Sequence, residues 1–145
     1  MAEDLPFVDT NIFVRHFRQD HADHSPRATA FLTRIESGQE RARTAETVVF
    51  ETVFTLERTY RQPRAHIRRI LLPLLLLPSI VLPNKRRLRR TFDLYLAHPA
   101  LSFADCYHAA LMEGLGLRRI VSFDRKFRQL TTITRTEPDA DGALP

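Results

Sequence analysis

Two rhythms of apolar and polar positions alternate along the chain. Short apolar runs closed by small polar residues read as buried strands: 5–8, ended by Asp9, Thr10 and Asn11; 79–82, ended by Pro83 and Asn84; and 119–122, followed by Asp124. A further short strand is expected at 41–44 and a last one at 131–134. Between them lie stretches of helical period. Ser25 and Pro26 read as the N-cap and first residue of a helix to about Ser37, with Phe31, Leu32 and Ile35 facing inward and Gly38 stopping it. Residues 46–60 form an amphipathic helix with Val49, Val53, Phe54 and Leu56 on its apolar face. Pro63 opens another, carrying Ile67, Ile70, Leu71 and Leu74, which Pro73 should kink or end. Asn84 precedes a basic helix over 85–97 with Leu88, Phe92, Leu94 and Tyr95 as apolar contacts. In 102–117 the apolar positions are Phe103, Cys106, Ala110, Met112 and Leu117, and Gly114 and Gly116 supply the end. Strands alternating with helices predict a three-layer α/β/α sandwich with a central, mainly parallel sheet. Ligand sites in such sheets lie just outside the carboxyl ends of the strands.

Length and composition refine this only at the edges. A chain of 145 residues fits one domain, assigned to 1–136, and the acidic, Pro- and Gly-containing residues 137–145 read as a disordered tail. The leucine-rich block 70–82 is more apolar than one buried face requires, so it reads either as core or as a subunit interface. Interrupted by Pro73 and Pro78, it is too short for a membrane span, which takes about 20 residues. The acidic opening segment does not resemble a signal peptide, and Cys106 is the only cysteine. Both fit a cytoplasmic protein without a thiolate metal cluster. His16, His21 and His24 fall in or beside a polar loop and read as solvated side chains rather than zinc ligands.

Charge changes the picture more. Lys and Arg number 22 against 17 Asp and Glu, a net +5 that suits an anionic partner. Between Arg58 and Arg90 there are ten basic residues and no acidic one. Lys85, Arg86, Arg87, Arg89 and Arg90 form the densest tract, readable as a solvated helix face, as a contact for nucleic-acid phosphates or, third, as an import signal.

Against this basic background, acids stand at the predicted strand ends and helix starts: Asp9 after the first strand, Glu51 early in the 46–60 helix, Asp105 at the start of the 102–117 helix and Asp124 after the strand at 119–122. Four converging carboxylates would repel one another unless cations joined them, and Mg²⁺ or Mn²⁺, one ion or two, are the natural candidates. Such a site on a basic protein suggests metal-assisted hydrolysis of a phosphodiester with no protein nucleophile. Each acid also has a plain structural role open to it. Ser102 and Asp105 have the spacing of a capping box, Asp124 could cap the next helical turn, Asp9 could close an Asx turn, and Glu51 could be a surface acid.

Four segments carry a family likeness. FVDTN at 7–11, VVFETVFTLERTY at 48–60, LSFADCYHAAL at 101–111 and IVSFDRKF at 120–127 resemble the successive motifs of PIN-domain ribonucleases, in particular VapC-type toxins. The resemblance implies one PIN-like nuclease domain and Mg²⁺- or Mn²⁺-dependent endonuclease activity on RNA. It implies Asp9, Glu51, Asp105 and Asp124 as the acidic quartet, with Asn11 and Ser122 as supporting polar residues. It also implies a homodimer held inactive by a cognate antitoxin. Pro73 and the dense leucine run depart from the family's usual helix pattern. Two other readings compete: a catalytically inactive PIN-like module that binds RNA or protein, and a phosphatase using Asp9 as nucleophile, which lacks its second Asp because position 11 is Asn.

Overall fold

The computed structural model describes residues 4–145; Met1, Ala2 and Glu3, part of the acidic opening segment, lie outside it. The fold is α/β, and it divides into two compact units, one ending at Lys85 and one covering 86–145.

In the first unit, the expected opening strand is reduced to a single parallel bridge between Phe7 and Arg43. The Val8 N–H donates to the Arg43 carbonyl at 2.8 Å, and the buried Thr44 hydroxyl donates to the Val8 carbonyl at 2.9 Å. Helix α1 (Thr10–Arg18) follows at once and packs on α2 (His24–Glu36). The second helix starts before Ser25, and Ser25 is buried in its first turn, its hydroxyl accepting from the His21 N–H. Strand β1 (Ala42–Arg43) pairs in parallel with β2 (Ile80–Val81). The helix expected over 46–60 appears as α3 (Glu46–Phe54), continued by a π-helical turn, Thr55–Thr59. Val49, Val53 and Leu56 are buried as their spacing requires, but Phe54 is 63% exposed. At 100° per residue Phe54 lies about 140° around the helix from Val49, so it falls off the buried face even in a regular helix. Pro73 lies in the last turn of α4 (Arg64–Leu75), which ends two residues later. Leu71, Leu72, Leu75, Ile80 and Leu82 of the leucine-rich block belong to the core, while Ile70, Leu74, Leu76 and Leu77 are half-buried.

The second unit holds α5 (Lys85–Ala97), apart from its first residue, and α6 (Phe103–Leu115). Leu88, Phe92, Leu94 and Tyr95 are all buried, as read from their period. Phe103 meets Phe92 with ring centroids 4.9 Å apart and Tyr95 edge-on at 5.3 Å. Aromatic pairs of this kind contribute about 0.5–1.5 kcal/mol each beyond their buried area. Arg90 clamps the two helices through a bidentate pair with Glu113, at 2.8 and 3.0 Å. The α6 helix closes on Gly116 in the left-handed region, φ 71°, and the Leu117 N–H then bonds to the Met112 carbonyl. Leu117 therefore lies past the helix end with its side chain 53% exposed rather than on the apolar face. Strand β3 (Arg119–Val121) pairs in parallel with β4 (Thr134–Thr136), three residues later than the last strand expected from 131–134. Beyond it, Asp139 gathers the tail into a turn, its carboxylate accepting from the Asp141 and Ala143 N–H groups at 2.9 Å each.

Candidate functional site

Asp9 is the N-cap of α1, exposed, with no side-chain bond to the helix it precedes. An N-cap aspartate normally accepts from a backbone N–H in the first turn, so this carboxylate is not spent on capping. The chain just before it is fixed by the Val8 hydrogen bonds to β1 and Thr44. Glu51 stands on α3, and its carboxylate accepts a hydrogen bond from the Thr10 hydroxyl, 41 residues away in sequence and next to Asp9. Thr10 thus turns Glu51 toward the start of α1, which Asp9 precedes. Asn11, one residue further along, is exposed. Thr10 went unread in the sequence because a contact over 41 residues leaves no periodic trace; its only signal is its place in the DTN triplet.

The acids of the second unit are held differently. Ser102 and Asp105 form a complete capping box: the Ser102 hydroxyl accepts from the Asp105 N–H at 3.1 Å, and the Asp105 carboxylate accepts from the Ser102 N–H at 3.3 Å. Asp124 caps the 3₁₀ turn Arg125–Gln129, accepting from the Lys126 N–H at 2.9 Å. The Ser122 hydroxyl accepts from the Asp124 N–H at 3.0 Å, which fixes the backbone that carries the acid. Each cap engages one oxygen of a carboxylate that has two.

The basic tract splits by partner. The Lys85 ammonium donates to the Leu77 carbonyl at 2.8 Å, and partial burial lowers its pKa. Arg87 lies over the Tyr107 ring and donates to its hydroxyl at 3.3 Å. Arg90 is engaged by Glu113, which raises the guanidinium pKa and lowers that of the carboxyl. Arg86 and Arg89 project as exposed side chains.

Of the three histidines His16 departs from the solvated loop reading, while His21 lies in the loop and His24 beside it, exposed. His16 belongs to α1, half-buried, with Nδ1 2.8 Å from the Thr29 hydroxyl, and burial lowers its pKa against the opposing pull of Glu36. His24 opens α2 and stacks on His21, ring centroids 3.9 Å apart. Among the described residues no three of His, Cys, Asp and Glu are grouped so as to hold a metal, and no helix is long and apolar enough to cross a membrane.

Comparison with known proteins gives three findings. The family model described as PIN domain matches residues 7–132. No curated protein sequence matches the chain. Among solved structures, the chain is similar to the crystal structure of VapC20 from Mycobacterium tuberculosis, described as a sarcin-ricin loop cleaving toxin, at 22% identity. That match covers 86% of this chain and 94% of the other, with a TM-score of 0.37.

Proposed function

The chain belongs to the PIN domain family, and from that premise we propose that it is a Mg²⁺- or Mn²⁺-dependent endoribonuclease, the VapC-type toxin of a toxin–antitoxin pair. The observation that carries the reading is that the family match, 7–132, contains all four acids, Asp9, Glu51, Asp105 and Asp124. The toxin assignment rests on the four motif segments, above all FVDTN and LSFADCYHAAL. On this reading 1–136 is one nuclease domain built as an α/β/α sandwich around a parallel sheet. The protein works in the cytoplasm as a homodimer inhibited by its antitoxin.

The donor set fits a hard divalent ion in kind, four carboxylates with no thiolate among them. Mg²⁺ characteristically keeps several waters and takes only one or two protein carboxylates plus substrate phosphate oxygens, so a pre-assembled cluster of three is not required. The chemistry a bound ion supplies is activation of a water for attack at phosphorus and neutralisation of charge on the leaving oxygen. The chain's own residues divide the remaining work. Asp9, Glu51, Asp105 and Asp124 hold one or two ions, Thr10 orients Glu51, Ser102 orients Asp105, and Ser122 positions Asp124 through its backbone. Asn11 supports the site from the first turn of α1, and Arg86 and Arg89, with the rest of the 85–90 tract, meet RNA phosphates.

The capping roles of Asp105 and Asp124 favour a second reading, a catalytically inactive module that binds RNA or protein. One experiment separates the two. Purified protein incubated with structured RNA should cleave it with Mn²⁺ or Mg²⁺ and stop when the ion is chelated. Binding without cleavage under any divalent ion would leave only the inactive module.

A further inference from the structure

In the first unit a cleft of about 510 Å³ opens between α1 and α2, lined by Asn11, Ile12, Arg15, His24, Arg27 and Ala28. Its size is that of a small-molecule or nucleotide site, about 300–1,000 Å³. Asn11 and Arg15 share one face of α1, four residues apart, while His24, Arg27 and Ala28 share one face of α2. The lining is cationic and polar around an apolar floor of Ile12 and Ala28, and none of its residues is acidic.

Both guanidiniums are held only loosely. The half-exposed Arg15 meets Asp20 at 3.3 Å and the exposed Arg27 meets Asp23 at 3.2 Å, each through one nitrogen. Exposed pairs of this kind are weak and exchange readily for another anion, and a guanidinium fork matches two phosphate oxygens better than one carboxylate oxygen. The stack of His21 on His24, with ring planes 6° apart, fixes the plane of an imidazole at the cleft, and a fixed aromatic plane is a platform for a nucleobase. The cleft also continues from the proposed chemistry, since Asn11 follows Asp9 by two residues and Arg15 lies one helical turn beyond it.

We propose that the α1–α2 cleft binds a single-stranded RNA segment beside the cleavage site, Arg15 and Arg27 taking phosphates and His24 stacking on a base. The inference rests on the ribonuclease reading. Continuity with Asp9 favours RNA over an acidic protein segment, which would need no such path.

The test measures binding of a labelled short single-stranded RNA to the full-length protein across a salt series with divalent ions chelated, beside cleavage of the same RNA with Mn²⁺. Relative to wild type, Arg15→Gln/Arg27→Gln should weaken binding and lower the slope of log K against log salt by about 1.4, the share of two phosphate contacts at about 0.7 each on a single strand. Arg15→Lys/Arg27→Lys, which keeps both charges, should keep the wild-type slope; if the double Gln variant melts early, the single variants Arg15→Gln and Arg27→Gln decide the matter, each lowering the slope by about 0.7. An unchanged slope in the Gln variant of a protein that still cleaves RNA overturns this inference alone. Wild-type protein that neither binds nor cleaves RNA overturns it together with the ribonuclease reading. Arginine-dependent binding of polyglutamate, with RNA binding unaffected, reassigns the cleft to an acidic protein segment and overturns it as well.

Discussion

The two pairs of acids are positioned by opposite means. In the first unit Glu51 is aimed by a hydroxyl 41 residues away, and Asp9 sits at a helix start without capping it. In the second, Asp105 and Asp124 are each fixed within three residues of themselves, by a capping box and by a 3₁₀ cap. A locally capped carboxylate takes its place as soon as its helix forms. A carboxylate aimed from a distance takes its place only when two elements have packed. The first pair should therefore be sensitive to tertiary perturbation, and the second to anything that frays a helix start.

Several substitutions would break or sharpen that contrast. The largest effect is expected from the acids themselves: Asp105→Asn should reduce Mn²⁺-dependent cleavage by more than about 100-fold, since even supporting residues of a metal site commonly cost 10–100-fold. Asn can still accept at the cap, so circular dichroism and the melting temperature should stay near wild type, and wild-type cleavage by this variant would remove Asp105 from the site. Next comes Thr10→Val, which deletes the hydroxyl on Glu51 at nearly constant shape. Cleavage should fall by about 10–100-fold with little change in stability; full activity would mean that Glu51 needs no orientation. Ser102→Ala should act the other way round. Loss of the cap costs about 1 kcal/mol of stability, read by denaturant unfolding, and lowers activity less than Thr10→Val does. Equal activity losses in the two variants would erase the distinction between local and distant positioning.

The smallest effect is on acid stability. Glu113 has its pKa lowered by the hydrogen bond from Arg90, so the folded state binds fewer protons there than the unfolded state does. Its contribution is fully present above the ordinary carboxylate range and is lost as pH falls through that range. Because the pair is partly exposed, the contribution is below about 1 kcal/mol. Denaturant unfolding from pH 7 to pH 3 should show a smaller acid-side loss for Glu113→Gln than for wild type, and identical slopes would mean the pair contributes nothing.

The same contrast explains what could be read from sequence. Features set by neighbours in the chain were legible: the 85–97 helix with its four buried contacts, the Ser102–Asp105 box and the strand at 119–121. Features set by pairing were legible only in outline: the strands expected at 41–44 and 79–82 shrink to the paired residues 42–43 and 80–81. The opening apolar run had no partner visible in its own residues and forms one bridge, and Thr131 and Thr132 resemble strand residues, although the pairing with β3 begins at Thr134. Leu117 fits a period that ends beside it, at a left-handed glycine, and Phe54 lies off the face that Val49 and Val53 share. Arg15, His24 and Arg27 carry no common period either, because the cleft they line is made by two helices packing together.

The most direct test of the central claim, that both pairs of acids serve one metal-dependent reaction, compares cleavage by Asp9→Asn, Asp105→Asn and the double variant on one RNA with Mn²⁺. Residues acting as a unit are strongly non-additive, so all three variants should fall to the same residual rate. A double variant slower than wild type by the product of the two separate losses, or wild-type cleavage by either single variant, would contradict it.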